Sequence, residues 1–232
     1  MTLYSSNDPA AVCLEVGQKR MFACALAWPG WCRSGKTEEQ ALETLAAYAE
    51  RYAVVARQAG ISFAVEHRNP FQIVERRTGS AGYTDYGVPG AIAAGDRLPW
   101  LPEEAERSLA LLAAAWMVFD RVAATVSAEL KKGPRGGGRD RDQLIDHVLG
   151  AETAYARKLG VTRRQPSHDD TADIAALRAS ILAASRTPDA GAERKETDWP
   201  PRYAVRRIAW HILDHAWEME DRNTPPSSLS GQ

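Results

Sequence analysis

Between Gly79 and Pro102 the chain reads GSAGYTDYGVPGAIAAGDRLPWLP, and eight of these 24 residues are glycine or proline. Glycine opens conformations that end regular structure and proline withholds an N–H, so no long helix or strand survives such a density of breakers. The stretch therefore predicts a junction, with Tyr83, Tyr86 and Trp100 expected to pack locally. The hydrophobic periodicity differs on its two sides, and that difference decides the fold class.

Upstream, Val12-Cys13-Leu14-Glu15-Val16 and Met21-Phe22-Ala23-Cys24-Ala25-Leu26 are β-like runs separated by Gly17-Gln18-Lys19-Arg20, a hairpin pattern that Pro29-Gly30 closes. Thr37 followed three residues later by Gln40 is a capping-box pair. Ala41, Leu45, Tyr48, Tyr52 and Val55, at steps of three and four, predict one helix that stops at Gly60. Ile61–Val65 and Phe71–Val74 read as further strands. Downstream the pattern is helical throughout. Leu109, Leu112, Trp116, Phe119, Ala123, Val126 and Leu130 form one apolar stripe, ended by the loop Gly133–Gly138. A second helix from Asp140 to Gly160 carries Leu144, His147, Val148, Ala151 and Tyr155 inward, and a third from Thr171 carries Ile174, Leu177, Ile181 and Ala184. After a polar loop from Pro188 to Pro201, a fourth from Tyr203 to Arg222 carries Ile208, His211, Ile212, His215 and Met219. The expected class is α+β: a small α+β domain over residues 1–80, a linker at 81–101, a four-helix bundle at 102–223 and a flexible tail at 224–232.

The 232 residues are 44% apolar and 25% charged, enough for a real core. Twenty-nine basic against 30 acidic residues give a net charge of -1, which excludes a broad basic surface for nucleic acid. No apolar run approaches the roughly 18 residues of a membrane span, and Met1–Ala11 has neither the basic nor the apolar region of an export signal. Cys13, Cys24 and Cys32 are an odd set with no C-x-x-C, read as buried structural thiols rather than a disulfide framework. A cytoplasmic location is the expectation, with no membrane partner and with a homodimer left open.

Three of the five histidines fall on core stripes. His211 and His215 are four residues apart, about 40° and about 6 Å along a helix, so both imidazoles project to one side. His147, on another helix, could complete a three-His site for one divalent ion: zinc or nickel, with iron or manganese as alternatives. The competing reading is that each is a hydrogen-bonded core histidine, but three unpartnered buried imidazoles are costly and one shared ion satisfies them all. Ile212 occupies the place where zinc peptidases carry a glutamate general base, which disfavours a peptidase. Glu218, three residues after His215, and Asp214 are candidate acceptors that would orient the imidazoles, with Glu152 a weaker choice. His67 and His168 carry no signal, and Asp146 reads as surface. Gly30-Trp31-Cys32-Arg33-Ser34-Gly35-Lys36-Thr37 formally matches a phosphate-binding loop, yet Trp31 is bulky there and no repeated βα units follow.

Two resemblances follow from these residues. Asp146-His147-Val148-Leu149-Gly150-Ala151-Glu152 on the second helix and Ala209-Trp210-His211-Ile212-Leu213-Asp214-His215 on the last resemble the DinB-like superfamily of four-helix metal proteins. That resemblance implies a metal at the three histidines. It also brings in relatives that are mycothiol-, bacillithiol- or glutathione-dependent transferases and isomerases, in which the metal activates a low-molecular-weight thiol. The segment Leu26-Ala27-Trp28-Pro29-Gly30 through Gly35-Lys36-Thr37-Glu38-Glu39 is similar to the HicB-like fold, where a strand enters a Pro-Gly turn and Gly-x-Thr precedes an acidic helix start. It implies that Gly35 turns the chain and Thr37 caps the helix. Two function classes result: a metal-dependent thiol transferase or hydrolase on a small molecule, or a non-catalytic binding or regulatory protein acting through its first part. Three protein ligands leave a coordination position open, which favours the enzyme.

Overall fold

The computed structural model describes residues 9–64, 70–133, 137–186 and 198–223. It is a mixed α+β protein, with one four-stranded sheet and six α-helices among the described residues. The strands are β1 (Ala10–Val16), β2 (Met21–Ala25), β3 (Cys32–Gly35) and β4 (Phe71–Thr78), in the order β3-β2-β1-β4. β1 and β2 form the expected antiparallel hairpin, while β4 lies parallel to β1 on its other side.

β3 departs from the sequence reading, which ran from the Pro-Gly turn straight toward the helix. Trp31 O accepts from Ala25 N at 2.9 Å, and the chain then returns along β2 with Cys24 opposite Cys32. The segment that matches a phosphate loop is thus a tight turn and a strand. The same pairing corrects the cysteines: Cys24 and Cys32 are joined as a disulfide, and only Cys13 is a free, buried thiol.

The predicted single helix is two. α1 (Glu38–Ala47) and α2 (Ala49–Gln58) meet at Tyr48, whose backbone leaves the helical region. Thr37 caps α1 by accepting from Gln40 N at 3.2 Å, but the Gln40 amide reaches back to Lys36 N at 3.1 Å, one residue beyond a capping box. Ile61–Ala64 forms no strand. Instead Phe63 joins a cluster with Trp28, Trp31 and Tyr52, at centroid distances of 4.8, 5.1 and 5.3 Å. Val65 and His67 lie outside the described residues, as does most of the 188–201 loop and the 224–232 tail.

α3 (Pro102–Thr125), α4 (Arg141–Arg157), α5 (Thr171–Arg186) and α6 (Pro201–Arg222) pack against one another, but α3 ends at Thr125, so Val126 and Leu130 of its expected stripe are buried beyond the helix. α3 is long and apolar enough to cross a membrane by length and composition, contrary to the sequence reading; here 50% of its apolar window is buried inside the protein. One continuous cluster of buried residues runs from Val12 and Leu14 through Trp31 and Tyr52 to Leu112, Ile181 and Ile212. The Gly/Pro-rich stretch is tied on both sides. Glu15 on β1 accepts from Gly90 N at 2.9 Å and Ala91 N at 2.8 Å, and Asp96 pairs with Arg206 of α6.

Candidate metal centre

α4 and α6 face each other with their histidines inward. Ring centroids lie 5.1 Å apart for His147 and His211, 4.9 Å for His147 and His215, and 4.6 Å for His211 and His215. One ligand nitrogen from each can be chosen so that all lie within 4.8 Å of one another. Tetrahedral ligands about 2.1 Å from an ion stand about 3.4 Å apart, so closing the set takes ring rotations of about an ångström. His211 is 7% exposed and its siblings are half-buried, which leaves the cluster reachable from the His147 and His215 side.

Electrostatics suit coordination. Burial, then repulsion from His215, lowers the His147 imidazole to about 4, and burial drives His211 well below the ordinary value. Neutral imidazole is the form that binds metal. Nδ1 of His211 is buried with no hydrogen-bond partner, a polar atom the protein leaves unmet. Three imidazoles converging from two helices, one with a buried unmet nitrogen, are a donor set that fits a divalent metal.

Of the candidate acceptors, Glu218 is the one brought to an imidazole. Its carboxylate lies 2.8 Å from His215 Nδ1, which leaves Nε2 toward the cluster, and its other oxygen takes Arg222. The His215 hydrogen bond, followed by Arg222, holds the Glu218 carboxyl below the usual range. Asp214 is not brought to an imidazole. It pairs with Arg33 of β3 at 2.6 Å, because one residue before His215 is about 100° around the helix and faces the sheet layer. Glu152 also turns away from the histidines. It is fully buried, accepts from Trp116 Nε1 at 2.6 Å, and burial raises its carboxyl to about 7. His168 stands apart, bonded to Asp146 at 2.8 Å.

The site also holds residues not singled out as functional from sequence. The Tyr155 ring meets His211 edge-on at 5.7 Å, and the Arg207 guanidinium lies over Tyr155 at 5.0 Å. Tyr155 was visible on the α4 stripe as core, and Arg207 as one more charge on α6. Only the tertiary placement brings them to the histidines.

Comparison with protein-family models, with curated proteins and with solved structures returned no match.

Proposed function

We propose that this protein binds one divalent metal ion, zinc or nickel before iron or manganese, through His147, His211 and His215. We further propose that it uses the open coordination position for metal-dependent transfer to, or hydrolysis of, a small molecule. The observation that carries this is the convergence of three histidines from two helices, one with a buried, unpartnered nitrogen. A bound ion would supply a lowered pKa for a water or thiol nucleophile near neutral pH. The chain's own contribution is to hold the His147 and His211 imidazoles neutral by burial, to orient His215 through Glu218, and to shelter one side with Tyr155. The resemblance to DinB-like proteins supports the same ligand set and a thiol such as mycothiol or bacillithiol as co-substrate. The arrangement of a HicB-like unit before a DinB-like bundle, and a cytoplasmic location, belong to this proposal and rest on the sequence.

Metal analysis after zinc loading and desalting tests it. The expected result is one ion per chain in the wild type and a loss of at least tenfold in affinity in His211→Ala and His215→Ala. Equal metal content in all three proteins would refute the site. Thiol-transfer and esterase assays on the loaded protein then separate a catalytic centre from a structural one.

A further inference from the structure

Arg207 is 7% exposed, and its NH1 is buried without a hydrogen-bond partner. Among the described residues no hydrogen bond or ion pair engages this side chain. Every other arginine seen lying over an aromatic ring, namely Arg33, Arg51, Arg107, Arg178, Arg202 and Arg206, also donates to a carboxylate or a carbonyl. Arg207 alone in this set has rings, Tyr155 at 5.0 Å and Trp210 at 4.6 Å, and no acceptor. A guanidinium only donates, so the partner its buried NH1 lacks is an acceptor oxygen, which an anion supplies.

Its position says what the anion would accompany. Arg207, His211 and His215 follow at four-residue steps on one stripe of α6, which puts the guanidinium one turn, about 6 Å of rise, from His211. Tyr155 touches both. Trp210 Nε1 is a second buried donor without a partner.

We propose that Arg207 receives the carboxylate of a small-molecule ligand whose other end reaches the three-histidine centre. The proposal rests on the metal-site reading above and narrows its substrate class to carboxylate-bearing molecules. Ring contacts engage the faces of a guanidinium and leave its N–H edge, to which a planar carboxylate is matched.

Cobalt-loaded protein provides the test, since thiol binding to cobalt changes its visible absorption. The probes are 3-mercaptopropionate, its neutral methyl ester and 2-mercaptoethanesulfonate. In the wild type the carboxylate is expected to bind at least tenfold more tightly than the ester and more tightly than the sulfonate. Arg207→Met should erase that preference and leave ester affinity unchanged, and Arg207→Lys should retain part of it. A preference that survives in Arg207→Met would overturn the proposal, and a sulfonate that binds best would overturn the carboxylate class. Metal-free protein gives an independent arm. Acetate at constant ionic strength should raise the melting temperature of wild type more than of Arg207→Met, and equal shifts would reject Arg207 as the anion site. Failure of cobalt uptake would reject the metal reading whatever the acetate result.

Discussion

His215 is held by a short relay in which Glu218 takes its Nδ1 and Arg222 takes Glu218, so the imidazole presents Nε2 in one tautomer. Partners of this kind typically account for 10–100-fold in metal affinity. Glu218→Gln is therefore expected to weaken zinc binding by about that factor in a chelator competition titration. An unchanged constant would mean that the relay is only a surface ion pair. Glu152 makes the contrasting case of a carboxyl buried for packing. Its folded pKa, raised from 4.5 to about 7 chiefly by burial, lies above the unfolded value. The stability tied to its protonated form is thus fully present below about pH 4.5 and is lost as pH rises through about 7. Glu152→Gln should match wild type near pH 4.5 and exceed it at pH 8 by about 2–3 kcal/mol. Parallel melting curves from pH 4.5 to 8.5 would contradict this. The histidines were legible because four-residue spacing on an apolar stripe is a local signal. The partners of Glu152 and Asp214 were not, because the donor or cation comes from another element more than 30 residues away.

Among the elements, the long helices of the second half were readable within a few residues at their ends, since their apolar stripes repeat locally. β3 was not. Its four residues carry no alternating pattern, and its partner strand and its register come from the turn that precedes it. That turn depends on Gly30, which has φ +93° and stands so close to α6 that an added Cβ would lie 2.6 Å from Leu213 Cδ1 and 3.2 Å from the Ala209 carbonyl. The glycine that resembled part of a phosphate loop is required by the approach of the sheet layer to α6. Gly30→Ala combines a left-handed backbone with that clash, so a loss of about 2 kcal/mol or more is expected. A denaturant midpoint within error of wild type would show that the turn can relax. Tyr48 explains the break between α1 and α2 only in part: its ring lies beneath Arg33 at 4.0 Å and against Trp217 at 5.1 Å, contacts that a straight stripe did not foretell.

At the scale of the molecule, the Gly/Pro-dense stretch separates two textures in sequence, yet buried residues from both form one cluster. α6 joins them: it presents Trp210 to Phe22 of the sheet, Asp214 to Arg33, and His211 and His215 to α4. Composition could not show this, because a shared core depends on which faces meet. Metal binding should accordingly stabilise the whole fold. At a hundredfold excess over the dissociation constant, zinc is expected to add about 2.7 kcal/mol, or a rise of about 5–10 °C in melting temperature for a chain of this size. His211→Ala should show no such rise, and equal shifts in both proteins would place the ion elsewhere. The most direct measurement is anomalous diffraction from zinc-soaked crystals, recorded on both sides of the zinc edge. One peak between His147, His211 and His215, with nitrogens about 2.1 Å away, is the expected result. A difference map with no peak there, or with zinc bound only at surface carboxylates, would contradict the three-histidine centre.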